Sequence, residues 1–163
     1  MKDEKKGVHH MLYNISGFGL IMVSLTNVKA ASTDNMIIDG SYLTHEKESI
    51  GYDTKITRGE DLLTGYSKCV RLGPGKIYAG GTTIAAHTVN SVQIAVIVER
   101  AQEGDTAWSS YDAWQKESQD TDRVGANRTL MVEGGYYYRV RCTHAANSDM
   151  SSSFTNGVYV EDP

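Results

Sequence analysis

The sequence predicts an all-β fold, an antiparallel β-sandwich. Three observations predict it. Apolar residues alternate at period two in several short runs. Those runs are divided by turns that carry glycine. No series of amphipathic helices alternates with the strands, which disfavours a parallel α/β sheet. A small barrel is the rival arrangement.

Taken in order, "NMIIDGSYLT" reads as one short edge strand. "HEKESIGYDTKITRGED" reads as an exposed surface segment or flexible lead-in. "GYSKCVRL" is a strand that ends at the Gly73–Gly75 turn. "KIYAGG" and "TTIAAHTV" are read as one bent strand, with Gly80-Gly81 as the bulge or kink. "VQIAVIVE" is the strongest strand: Val92, Ile94, Val96 and Val98 form one face, Gln93, Ala95, Ile97 and Glu99 a second, fairly apolar one. It is expected to be central and partly covered on both sides.

"RAQEGD" makes a turn. In "TAWSSYDAWQKES", Trp108, Tyr111 and Trp114 recur every three residues, as on one side of a helix. Strand is preferred, because hairpin partners lie on both sides. Trp108 and Trp114 then share a face and Tyr111 looks away. "NRTLMVEGGYYYRVRCTH" reads as a hairpin closed at Gly134-Gly135. Its second arm splits into a core face of Tyr136, Tyr138, Val140, Cys142 and His144, and a wet face of Tyr137, Arg139, Arg141 and Thr143. "FTNGVYVE" is a terminal strand.

Residues 1–30 have a basic start, an uncharged apolar run and the small-x-small signal Val28-Lys29-Ala30, the order of a secretory signal peptide. Residues 31–61 are then a polar lead-in with an edge strand, and 62–163 the sandwich domain. Removing residues 1–30 takes four of sixteen Lys/Arg and two of twenty Asp/Glu, leaving twelve basic against eighteen acidic groups, a net charge of −6. That balance repels a phosphate backbone and an anionic bilayer. Nucleic acid is therefore not an expected partner, and stable membrane insertion of the mature chain is not expected.

Two cysteines, Cys69 and Cys142, leave two readings open for an exported chain. One is a disulfide. The other is a pair of free thiols, favoured by an alternation that sets Cys69 beside Ser67 and Arg71, away from the apolar face of its strand.

Catalytic patterns are incomplete. His45-Glu46 opens a zinc-protease motif, but Ser49 stands where its second histidine is needed. "GYSKC" ends in Cys69 where a nucleophile elbow requires glycine. "ESQDTD" lacks the order and glycine of a calcium loop. "NRT" at Asn127 is formally a glycosylation acceptor. Asp105, Asp112, Glu117, Asp120 and Asp122 gather around the tryptophans, as in a carbohydrate site or an ordinary solvated face. No cofactor or metal is expected.

The segments Thr88–Arg100, "TVNSVQIAVIVER", and Gly134–Arg141, "GGYYYRVR", resemble a family of small secreted β-rich proteins, a domain of unknown function from Clostridia-type Gram-positive bacteria. The resemblance spans roughly Leu62 to Val160 and implies export and a β-fold, with no activity to transfer. A looser likeness is to immunoglobulin-like domains, yet Val140 stands where their tyrosine would, and Val92–Glu99 has no tryptophan. The expected role is a secreted, non-enzymatic bacterial extracellular protein, envelope-associated or binding, with a cell-envelope glycan or protein as partner. Two alternatives accompany it. One is a carbohydrate-binding module using Trp108, Tyr111, Trp114 and Tyr137 as its stacking surface. The other is a small extracellular hydrolase using acidic residues.

Overall fold

A computed structural model describes residues 42–55 and 59–163; the expected signal peptide, residues 1–30, lies outside them. Among the described residues the chain forms nine strands: β1 (Leu43–Thr44), β2 (Glu48–Tyr52), β3 (Thr54–Lys55), β4 (Leu62–Gly73), β5 (Lys76–Ala101), β6 (Ser109–Met131), β7 (Tyr136–Ala146), β8 (Asp149–Phe154) and β9 (Gly157–Val160). The fold is all-β. Every strand belongs to one curled sheet, antiparallel except where β1 runs alongside β9.

β5 organises the sheet. β6 follows one edge along almost its whole length. The other edge is shared: β4 pairs with Lys76–Ala85 and β7 with Val92–Ala101. Between those halves the β5–β6 register jumps from Ile84↔Arg123 to Val89↔Thr121, so β5 uses five steps where β6 uses two. The extra residues bend the hairpin, and Asp120, at φ 50°, lies where β6 turns with it. The bend is therefore not at Gly80-Gly81, which stay in register with Lys68 and Ser67.

Bending brings the two halves of the sheet face to face. Val92, Ile94, Val96 and Val98 from one half meet Ile77, Ala79 and Cys69 from the other in a common core. The faces approach so closely that glycine is required. A side chain at Gly81 would meet the Tyr66 carbonyl and the Cys142 sulfur, and one at Gly65 would overlap the His144 ring. β4 accordingly turns Gly65, Ser67 and Cys69 inward, with Ser67 and Cys69 fully buried. This corrects the expectation that Cys69 points away from the core: the smallest side chains, not the most apolar, face inward here.

The lead-in stretch also has a structural role. β2 pairs with β4, and β3, one residue later, pairs with β8. Since β8 pairs with β7 and β7 with β5, the ladder returns to its start and the curl closes. The anticipated hairpin through Gly134-Gly135 does not form. Gly135 does turn the chain, at φ 77°, but the end of β6, Asn127–Met131, pairs with Lys76–Gly80 of β5, whereas β7 pairs with Val92–Ala101 in the other half. The connection crosses between the halves, with Val132 N–H donating to Gly75 and Gly135 N–H to Val160. The true hairpin partner of β7 is β8, across Asn147-Ser148, where Asn147 takes the left-handed conformation at φ 49°.

Replacing Gly65 by alanine forces a methyl group into the His144 ring. The expected result is a loss of about 1–3 kcal/mol of stability, the usual cost of overpacking, measured by urea unfolding. A neutral result would mean that the halves sit farther apart.

Candidate functional site

The alternation in β7 holds: Tyr136, Tyr138, Val140, Cys142 and His144 face inward. Burial pushes the Tyr138 phenol up to about 12, and its hydroxyl reaches the rim to donate to the Glu133 carbonyl at 2.8 Å. The other face is not wet. Tyr137 is only 4% exposed, packed between His45 and Tyr159. Arg139 donates to Glu99 at 2.7 Å while the Trp108 ring covers its guanidinium at 4.4 Å; Arg141 reaches the second Glu99 oxygen at 3.3 Å. The two arginines thus pair with a glutamate on the next strand, Arg139 also beneath an aromatic ring, and do not form a free cationic strip.

The four aromatic residues expected to make a stacking surface are dispersed. Trp108 precedes β6 and packs over Gly157 and Arg139 on the outside. In β6 the pairing skips Tyr111, from Val98↔Asp112 to Glu99↔Ser110, and this bulge turns Tyr111 inward, edge-on to Tyr138 at 5.4 Å. Tyr111 therefore shares the core side with Trp114, and Trp108 does not, the reverse of the simple alternation. Trp114 lies beneath Arg128, which also reaches Asp112. Three of the neighbouring acids have local partners: Glu117 accepts from Ser91 at 2.7 Å, Asp105 from the Gln102 amide at 2.8 Å, and Asp122 pairs with Arg123.

An apolar face that stays open is the outer side of β2, β4 and the first half of β5. Because β4 turns its small residues inward, its outward positions are Tyr66, Lys68, Val70 and Leu72. Tyr52 lies opposite Tyr66, with ring centroids 6.3 Å apart, and Tyr78 lies opposite Val70. Tyr52 is 71% exposed, Leu72 48% and Ile50 41%. Tyr66, Lys68, Val70, Leu72 and Tyr78 line a shallow groove of about 420 Å³. Gly80 lies opposite Lys68, so no side chain rises from the floor beside it. Lys68 pairs with Glu48 at 3.0 Å, and Thr82 donates to the Tyr66 hydroxyl at 3.1 Å. Burial raises the Tyr78 phenol above its usual range; the Tyr66 phenol adds to this and the Lys68 ammonium opposes it. The aromatic emphasis on the tryptophans missed this face. The available signal was the small, polar set Gly65, Ser67 and Cys69, which marks a tightly packed inner side and leaves the apolar set outside.

Inside, Ser153, His144 and Thr83 are linked as a hydrolase triad would be. The Ser153 hydroxyl lies 2.8 Å from Nε2 of His144, and Nδ1 lies 2.8 Å from Thr83. All three residues are fully buried, so no substrate reaches them in this conformation. Cys69 and Cys142 stand as free thiols, also buried. Burial pushes Cys69 up to about 12 and Cys142 higher still, which leaves both protonated and unreactive at neutral pH.

Two outcomes follow from these contacts. Glu99→Gln leaves Arg139 charged and nearly enclosed and is expected to cost about 3–5 kcal/mol. Arg141→Gln, on the exposed arm of the same network, is expected to cost about 0–1 kcal/mol. Equal losses in denaturant titrations would refute the burial argument. For the thiols, an aromatic disulfide reagent should label none in the folded, unreduced protein and two after denaturation; zero labels after denaturation would reveal a disulfide. No protein-family model matches the chain, and neither a curated protein nor a solved structure matches it.

Proposed function

We propose that this chain is a secreted, non-enzymatic binding module of the cell envelope, and that its ligand is a glycan held on the outer tyrosine face. The observation that carries the reading is the exposure of Tyr52 beside Tyr66 and the Tyr66–Tyr78 groove, on the one strongly apolar outer face that no other described segment covers. Phenol rings offer flat apolar surface to the C–H faces of sugars, and their hydroxyls offer hydrogen bonds at the rim. Lys68, Glu48 and Thr82 supply further donors and acceptors without a large net charge. Such a face favours a neutral, extended ligand over a strongly anionic one.

Two features support binding over catalysis. The triad-like cluster is sealed, and Asp105, Asp112, Glu117 and Asp122 are engaged separately. Export and membership of the secreted Clostridia-type family are part of the same proposal; the order of residues 1–30 and the Thr88–Arg100 and Gly134–Arg141 segments support them.

The test is cosedimentation of residues 31–163 with purified Gram-positive cell wall, together with a glycan array. Tyr66→Ala, Tyr78→Ala is expected to lower retention roughly tenfold, equivalent to about 1.4 kcal/mol. Trp114→Ala, away from the face, should leave retention of the folded fraction unchanged. Retention that survives the double substitution would sink this assignment of the face.

A further inference from the structure

The curl is closed at a seam where, among the described residues, β3 meets β8 at two positions, Thr54↔Ser152 and Lys55↔Ser151. Directly behind it lies His144, opposite Ser151 in the β7–β8 ladder and without exposed surface. Its hydrogen bonds assign its tautomer. The Thr83 hydroxyl donates its single proton to the Gln93 carbonyl at 2.9 Å. Thr83 can therefore only accept from His144, which places the ring proton on Nδ1. Nε2 is then the acceptor for the Ser153 hydroxyl. Every proton in this chain of four groups has one place to go.

A second ring proton breaks the arrangement. Nε2 becomes a donor, Ser153 must turn its own proton elsewhere, and a cation stands in a fully buried position. Of the groups around it the Asp53 carboxylate favours the cation, and burial outweighs it. From the β2–β3 connection comes Asp53, whose Oδ1 accepts from Thr64 at 3.0 Å and whose Oδ2 is buried without a partner. β8 brings Asp149, already bonded to the Asp61 and Leu62 amides, and Ser151, whose buried hydroxyl also has no partner. Lys55 stands opposite Ser151 in the ladder. β4 presents Gly65, and β5 presents Thr83 with the Gln93 carbonyl, none of them ionisable. On β7 itself the nearest ionisable group is the Cys142 thiol.

We propose that His144 is an acid-operated latch on the β3–β8 seam: protonation of the ring is relieved by opening those two strand pairs, which admits water to the Asp53–His144 cluster while the rest of the sheet stays closed. The direction follows from linkage. Burial lowers the folded-state value to about 4, against 6.5 for an ordinary histidine, with the Asp53 carboxylate opposing. The open form thus binds the proton more tightly. The closed seam keeps its full stability above the ordinary histidine range and loses it as pH falls toward 4.

The experiment is hydrogen exchange by mass spectrometry on residues 31–163, corrected for intrinsic exchange rates. Between pH 7.5 and pH 5 the opening equilibrium of the Ser151–Ser152 amides is expected to rise on the order of tenfold or more, with little change in Val92–Val98. His144→Gln is expected to abolish that rise. An equal rise in His144→Gln, no rise in the wild type, or equal opening of Val92–Val98 would overturn the latch. Should His144→Gln fail to fold, proton titration of the wild-type ring by NMR decides: a ring titrating near 6.5 with the seam still closed refutes the proposal.

Discussion

A β-strand advances about 3.3 Å per residue, so the 26 residues of β5, if straight, would run roughly 85 Å, far beyond the width of a domain this size. The strand must therefore bend, and the remaining architecture depends on that bend. With β6 along one edge, β4 and β7 are left to share the other. When β5 folds, β4 is carried over β7 and their inner faces meet. The distance between them is then set by what β4 can tolerate inward. Gly65, Ser67 and Cys69 are that answer, and Gly81 continues it on β5.

This packing inverts the usual pattern of a half-buried strand. β4 places its small, partly polar residues in the core and its larger apolar residues outside. The groove around Tyr66 and Tyr78 is thus a direct consequence of the close approach on the reverse side. The opposite outer face has a different history. There Trp108, His45 and Tyr159 fold over Arg139 and Tyr137, and the Glu99 carboxylate pairs with both Arg139 and Arg141. One outer face is closed by the protein's own segments and the other is left open by the described residues, which is the physical basis for choosing between them.

Alternation made much of this legible. The inner residues of Tyr136–His144 and the two-sided burial of Val92–Glu99 follow from period two alone. What alternation cannot carry is partner choice. Gly134-Gly135 signals a turn equally well whether the next strand returns beside the last or crosses to the far half of the sheet. Tyr137 looks solvent-facing until His45 arrives from 92 positions away. The bulge at Tyr111 moves one ring between faces with no local composition to announce it. The candidate face was hidden for a related reason: hydrophobic residues on β4 suggested an inner side, and only tertiary approach shows that size outweighed polarity.

The core is also uneven along its length. Near β9 it is made of Val158, Val160, Tyr138, Ile77 and Val98, all fully buried. Toward β8 it becomes Thr83, His144, Ser151 and Ser153, held by directional hydrogen bonds and containing two polar atoms without partners, on Asp53 and Ser151. Apolar burial resists opening at any pH, whereas a hydrogen-bonded histidine resists it only while neutral. The β3–β8 ladder, two pairs among the described residues, sits at the polar end. Local opening there breaks two strand pairs and leaves the valine-lined half of β5 intact, so the sheet can be breached at its seam without losing the bend that shapes the tyrosine face.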